Sequence, residues 1–364
     1  MKVDLLDLRR EYNSIKNEID EVVFNVISSG RFILGPEVEA FEKELEKHLS
    51  VKHAIGVGNG TDALSLALAA LDVKDGDEII TTPFTFIATA EVIALKGAIP
   101  VFADIDMETG NMLPAEIEKK INNKTKGIIA VHLFGQPCDI DRIKEIARRN
   151  NLFLIEDTAQ AIGAKYNGKA AGTWGDIGTI SFFPTKNLGA YGDGGAVITN
   201  NDEIAEKIRQ LRVHGSDKKY HHVSIGFNSR LDAIQAAILR VKLKHLEEWT
   251  RKRQEIASIY SSRIKTVKVP FTAENREHIF HQYTLKSRRR DAFREYLKDN
   301  GIASAIHYPI PLHLQPAFSY LNMKKGSFPI AEKLANEVLS IPVHPFLTND
   351  EIEYIISVIN KWKE

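Results

Sequence analysis

The sequence predicts an α/β protein: a mostly parallel central sheet with helices on both faces, plus a smaller C-terminal α+β domain. Three observations predict it. Short apolar runs without polar alternation recur between residues 53 and 200, as strands covered on both faces require. Up to residue 157, stretches of helical spacing separate them, so successive strands are joined by crossovers and run parallel. Past about residue 250 that alternation gives way to two strands, a helix, a strand and two helices. With 364 residues and 43% hydrophobic content, the chain supports two cores. The expected division is a large domain over residues 1–250 and a small one over 251–364.

The elements follow in order. Ile15, Ile19, Val22, Val23 and Val26 share one helical face, and Gly30 ends that helix. Pro36 suits the first position of the next helix, which runs to Leu49. Residues 53–58 read as a strand, and Asn59-Gly60-Thr61-Asp62 leads into a strong helix through Leu71. Strands at 78–82, 100–104, 126–131 and 151–155 alternate with helices at 87–95, 114–121 and 140–149. Two more strands flank Lys186, and a helix covers 201–213. Residues 214–229 read as a polar loop, and 230–264 as a long helix leading out of the large domain. The remainder reads as strands at 267–271, 282–286 and 305–308, and helices at 291–299, 329–339 and 349–361.

Composition excludes several function classes. Lys+Arg and Asp+Glu both number 48, so the formal net charge is zero. That argues against nucleic acid or an anionic membrane as the main partner. One cysteine, Cys138, allows no intrachain disulfide and no cysteine metal cluster, and it reads as a small buried residue. His221 and His222 are adjacent and point apart with no third ligand in step, so no metal is expected. Arg288-Arg289-Arg290 reads as a solvated turn. No signal-like start and no apolar run of membrane length is seen, which sets a cytoplasmic expectation.

In open parallel sheets, ligands sit beyond the carboxyl ends of the strands. Thr179–Phe183 is an apolar strand followed by Pro184-Thr185-Lys186-Asn187 and a glycine-rich return, Gly192-Asp193-Gly194-Gly195. A desolvated lysine there becomes a nucleophile suited to Schiff-base chemistry, although an ordinary surface lysine reads equally well from this stretch alone. Gly60-Thr61 opens a helix, so its free N–H groups suit a phosphate, or simply a capped helix. The stretch is neither G-x-G-x-x-G nor a P-loop. Asp157 ends a strand with Gln160 three residues on; it reads as a helix N-cap or as a carboxylate for a protonated ring nitrogen. Phosphate site, ring-nitrogen carboxylate and lysine together are what pyridoxal 5'-phosphate requires.

The motifs extend this to the whole chain. They are Gly58-Asn59-Gly60-Thr61-Asp62-Ala63-Leu64, Pro83–Ala90, Ile155–Ala164, Ser181–Gly189, Gly192–Ala196 and Gly226-Phe227-Asn228-Ser229-Arg230-Leu231-Asp232. In this order they resemble the DegT/DnrJ/EryC1/StrS family of sugar aminotransferases, enzymes of aspartate aminotransferase-like (fold type I) architecture. The resemblance implies that Lys186 forms the internal aldimine and acts as acid/base, and that Asp157 pairs with the pyridinium nitrogen. It implies Gln160 beside the phenolic oxygen, Phe86 stacked on the ring, and Gly60, Thr61 and Ser181 on the phosphate. Asn228 is expected to reach the cofactor of a second subunit, making the active unit a homodimer. A branch that acts as a dehydratase has histidine in place of the lysine; Lys186 favours transamination.

The substrate reading also rests on resemblance. The Asn228–Asp232 stretch, Lys219-Tyr220-His221-His222 and Ile306–Leu312 are similar to members acting at C3 of a nucleotide-linked keto sugar, of the UDP-linked uronate or dTDP-linked 6-deoxyhexose type. L-glutamate is the implied amino donor, and His307, Tyr308 and Arg230 are the expected substrate contacts. The alternatives are a 4-keto sugar aminotransferase, a dehydratase, and a regulator using the same fold as a sensor. Zero net charge and the lack of a helix-turn-helix segment count against the regulator.

Overall fold

A computed structural model describes residues 1–363. Strands β1 (His53–Val57), β2 (Glu78–Thr81), β3 (Ile99–Phe102), β4 (Thr125–Val131) and β5 (Phe153–Asp157) are followed by a small hairpin, β6 (Lys165–Tyr166) and β7 (Lys169–Ala170). Next come β8 (Ile177–Ser181) and β9 (Gly195–Thr199). The central sheet has seven strands in the order β1-β9-β8-β5-β4-β2-β3. Only β9 runs against the others, pairing antiparallel with both β1 and β8. The remaining neighbours are parallel. The expected mostly parallel sheet is therefore observed.

The helices of this part are α1 (Leu8–Ser14), α2 (Lys16–Ser29), α3 (Pro36–Leu49), α4 (Gly60–Ala70), α5 (Ala88–Leu95), α6 (Pro114–Glu118), α7 (Ile140–Arg149), α8 (Asp202–Leu211) and α9 (Ala233–Arg263). Burial on both faces explains why the strands do not alternate. On one face Ile79, Ile129, Ile155 and Val197 pack under α4, α5 and α8. On the other, Ile80, Ile128 and Leu154 meet α7, and Ile180 and Ile198 meet α3 and α9. Successive residues of a strand thus point to opposite faces and are both apolar.

Helix α9 runs 31 residues without a break, straight through residue 250. Its first half lies on α2 and α3, where Arg240 bonds Glu37 and Glu44 at 2.6–3.0 Å. Its last turns (Ile256, Ala257, Tyr260) join a second core with Tyr283, Leu285, Phe293 and Ile355. Val3, at the other end of the chain, belongs to the same core. This unit contains β12 (Arg276–Glu277), which pairs with β6, then β13 (Tyr283–Lys286), α10 (Arg290–Asp299), α11 (Pro329–Glu337), β14 (Val338–Ile341) and α12 (Asn349–Ile359).

Four local expectations change. Residues 267–271 form no strand: Lys268 makes one bridge to Lys286, and Pro270 has no N–H to extend the ladder. Residues 305–308 likewise make a single bridge, Ala305 to Ser340. The helix expected to reach residue 339 stops at Glu337, because Val338–Ile341 pairs antiparallel with β13. The loop 214–229 contains a short hairpin, β10 (Ser216–Lys218) with β11 (His221–His222). Among the described residues no helix is long and apolar enough to cross a membrane.

Candidate active site

A cavity of about 600 Å³ opens beyond the carboxyl ends of β1, β4, β5 and β8. Lys186 is at its edge, in the loop that returns from β8 to β9. That loop is closely held. Lys186 N–H donates to Phe183 O at 2.8 Å and Ala190 N–H to Phe182 O at 2.7 Å. From α9, the buried Lys242 ammonium donates to Gly189 O at 2.6 Å, and Gln235 Oε1 accepts from Tyr191 N–H at 2.8 Å. A Cβ on Gly189 would lie 2.4 Å from Pro184 O, so the tight fold of the loop requires glycine there. The glycine-rich segment thus positions Lys186 rather than binding an anion itself.

The Lys186 amine has no hydrogen-bond or ion-pair partner among the described residues. Burial lowers it to about 8, against the pull of the Asp157 carboxylate on the other side of the cavity. An amine poised there is half unprotonated near neutral-to-alkaline pH. Covalent labelling of Lys186 in cofactor-free protein, followed by mass spectrometry, should rise through a midpoint near pH 8. The midpoint of an exposed lysine lies near 10.4.

Asp157 is the last residue of β5 and is buried. Thr89 Oγ1, on α5, donates to its Oδ2 at 2.8 Å, and Ala159 N–H to its Oδ1 at 3.1 Å. Residues 159–163 form turns, not a helix, which rules out the N-cap reading. Gln160, in that turn, is held in one orientation: its Oε1 accepts from Phe134 N–H at 2.8 Å, and its Nε2 donates to Tyr308 OH at 3.0 Å. Burial raises the Tyr308 phenol, so it stays protonated.

Beneath Asp157, on the opposite pleat, Glu156 is fully buried. Its carboxylate accepts from Gly172, Trp174 and Gly175 N–H at 2.6–2.8 Å and meets His132 Nε2 at 2.9 Å. These donors hold it below the usual carboxylate range although burial acts in the other direction. An amide has only one acceptor oxygen for these four donors. Glu156→Gln should therefore cost about 3 kcal/mol of unfolding free energy, read from urea titration.

The far end of the cavity is the start of α4. Asn59 caps it through Asp62 N–H at 2.8 Å, and the first helical bond is Ala63 N–H to Asn59 O at 3.0 Å. The N–H groups of Gly60 and Thr61 precede that bond and face outward with the helix dipole behind them. A Cβ on Gly60 would sit 2.7 Å from Ser181 Cβ, and one on Gly195 2.4 Å from Asn59 C and O. Glycine at these two places is what lets α4, Ser181 and β9 converge into one anion cradle. An anion end, a buried carboxylate and an unpartnered amine fit pyridoxal phosphate.

Of the residues expected from the sequence, Gly60, Thr61, Phe86, Asp157, Gln160, Ser181, Lys186, His307 and Tyr308 all line this cavity. Phe86 is half exposed, its ring centroid 6.3 Å from that of Tyr308. His307 Nδ1 lies 3.0 Å from Ser340 Oγ, and burial, reinforced by Lys186, lowers its imidazole to about 4. Asn228 and Arg230 do not line it: they pair with each other beyond the β10–β11 hairpin, and Asn228 is exposed. Thr89, His281, Gln282 and Asp193 line it without having been singled out. Thr89 lies inside the Pro83–Ala90 stretch but carries no chemical signal of its own, and His281 sits in a segment with no motif, 95 positions past Lys186.

Sheet, cradle, carboxylate and amine define a pyridoxal-phosphate enzyme of the aminotransferase type. The chain belongs to the DegT/DnrJ/EryC1/StrS aminotransferase family, whose model matches residues 13–360. It is 51% identical to a "Pleiotropic regulatory protein" of Geobacillus stearothermophilus, over 99% of this chain and 98% of that one. It is 43% identical to the UDP-2-acetamido-2-deoxy-3-oxo-D-glucuronate aminotransferase of Pseudomonas aeruginosa, over 98% and 99%. The crystal structure of S. venezuelae DesV in complex with a ketimine intermediate superposes with a TM-score of 0.97 at 40% identity, covering 99% of this chain and 98% of that one. The fold type I architecture and the pyridoxal phosphate cofactor expected from the sequence both stand.

Proposed function

We propose that this protein transfers the amino group of L-glutamate to a nucleotide-linked 3-keto sugar, in amino-sugar or surface-polysaccharide synthesis. The observation that carries the reading is the unpartnered, half-buried Lys186 amine in one cavity with Asp157 and the Gly60–Thr61 helix end. Support for the C3 position comes from relatives named for 3-keto or 3-amino sugars, on both UDP and dTDP.

Pyridoxal phosphate, when bound, supplies an electron sink for the bond broken at the amino-bearing carbon. The residues divide the remaining work. Gly60 and Thr61 N–H groups and the Ser181 hydroxyl hold the phosphate. Asp157, oriented by Thr89, keeps the ring nitrogen protonated by opposite charge. Gln160 offers an N–H to the phenolic oxygen, and Phe86 packs on the ring face. Lys186 Nζ takes and returns the proton that moves between substrate and cofactor carbons. His307 and Tyr308 face the sugar. Asn228 and Arg230, outside their own cavity, serve the cavity of a second copy, the former at its phosphate and the latter at its sugar. The enzyme therefore works as a homodimer in the cytoplasm, with each chain divided near residue 250 and α9 shared by both parts.

The test is product analysis by mass spectrometry with glutamate and UDP- or dTDP-linked 3-keto and 4-keto sugars. Amination of a 3-keto sugar alone supports the reading; amination of 4-keto sugars alone overturns it. A regulatory role is supported by the names of two relatives, the pleiotropic regulatory protein of Geobacillus and the erythromycin biosynthesis sensory transduction protein EryC1 of Saccharopolyspora erythraea. A DNA-binding measurement at moderate salt should show no complex, and a specific complex would favour the regulator.

A further inference from the structure

Tyr308 holds a proton that no protein atom accepts. Two hydrogen bonds fix this. Phe134 N–H can only donate, so the Gln160 atom facing it at 2.8 Å is Oε1. The other amide atom, 3.0 Å from the Tyr308 oxygen, is then Nε2, and an amide N–H donates as well. The phenol oxygen therefore accepts from Gln160, and its own O–H is left to point elsewhere. Among the described residues no acceptor meets it, and Tyr308 lines the cavity. The ring is held in place, edge-on to Phe84 with centroids 6.5 Å apart and tilted on Phe86 at 6.3 Å. Burial, reinforced by Asp157, raises the phenol, so Tyr308 stays a donor.

Strand order places this donor on one wall of the cavity. Across the sheet the order runs β1, β9, β8, β5, β4, β2. The start of α4 follows β1, Ser181 ends β8 and Asp157 ends β5. Phe134, which holds Gln160, follows β4, and Phe84, which meets Tyr308, follows β2. Gln160 and Tyr308 thus lie across Asp157 from the anion cradle. The substituents of pyridoxal phosphate have a matching order. Its ring nitrogen is opposite the carbon that joins a lysine. That carbon is flanked by the phosphate-bearing arm on one side and the phenolic oxygen on the other. With the nitrogen at Asp157 and the phosphate at the cradle, the phenolic oxygen falls on the β4 side, where Gln160 Nε2 and Tyr308 OH are the donors.

We propose that Tyr308 is a second donor to the phenolic oxygen of the cofactor, beside Gln160. This rests on the reading of Asp157 and Lys186 as residues that meet the cofactor, and it adds a task to a side chain whose ring also faces the sugar. The consequence is a shift in proton affinity at the link between Lys186 and the cofactor. While that link is protonated, its own positive charge neutralises the phenolic anion. Once the proton leaves, the anion depends on the protein's donors, so each donor favours the unprotonated link. The other titratable groups facing this part of the cavity are Asp157, Lys186, His281 and His307, and both histidines are held neutral.

Full-length protein loaded with pyridoxal phosphate, without glutamate or sugar, tests the proposal. The measurement is the pH midpoint of the visible band, which the protonated link carries. Tyr308→Phe keeps the ring against Phe84 and Phe86 and removes only the O–H. Its midpoint should rise by about one unit. Gln160 remains oriented by Phe134 N–H, so the shift reports Tyr308 itself. An unchanged or lowered midpoint overturns the proposal, and Tyr308 is then a sugar contact alone. A fluorinated tyrosine in place of Tyr308 is a more acidic donor of nearly the same shape and should lower the midpoint. Absence of that fall also overturns the proposal, and this arm decides if the phenylalanine variant fails to fold. A merely structural role would not move the two midpoints in opposite directions. Because no sugar is present, failure of every keto sugar as a substrate leaves this test intact. A wild-type protein that develops no visible band would overturn the cofactor reading and this proposal together.

Discussion

Lys186→Ala is expected to abolish turnover, by more than about 10³-fold, and to remove the visible absorbance given by the covalent link between Lys186 and the cofactor. The size follows from the surroundings of the amine. It is the lysine that lines this cavity, burial holds it near 8, and no side chain neutralises it by contact. No other cavity-lining group can form that link. The histidines there, His281 and His307, are held neutral and are poor amine substitutes. The fold should survive, because the loop is held by backbone bonds at Ala190 and Tyr191 and by Lys242, none of which uses the Lys186 side chain. Absorbance, single-turnover rate and a thermal melt on one preparation separate the outcomes. Full activity in the variant would sink the assigned chemistry.

Asp157→Asn is expected to lower kcat about 10²- to 10⁴-fold with little loss of stability. The carboxylate receives one hydroxyl and one backbone N–H, from Thr89 and Ala159. An asparagine keeps an oxygen for Ala159, and the Thr89 hydroxyl can turn to accept from the new amide, so the local bonds survive. What is lost is the negative charge that keeps a ring nitrogen protonated in a buried setting. A kcat within about threefold of wild type would remove Asp157 from that role.

The aspartate was legible because it ends a strand where an apolar pattern breaks off, and the lysine because it stands in the loop that follows one. Gly60-Thr61 was legible because a helix had to start there. Thr89 and His281 were not. A threonine on α5 reaches Asp157 only because β2 and β5 flank β4 in the sheet, and that order is not written in the order of the chain. The strand expected at 305–308 and the helix expected to 339 failed for a related cause. Val338–Ile341 is apolar enough for either state, and pairing with β13 decided it.

By itself the sequence determined the parallel sheet, the two-faced burial of its strands, the family, and most of the residues it expected at the site, which do line one cavity. These depend on local period, on breaks in pattern, and on motifs a few residues long. Only the tertiary structure decided which residues support them: Thr89 under Asp157, Tyr308 on Gln160, Lys242 on the lysine loop, and His281 in the cavity that Lys186 lines. Those contacts join segments far apart in the chain, and their energy comes from desolvation and hydrogen-bond geometry, which exist only once both segments are buried together.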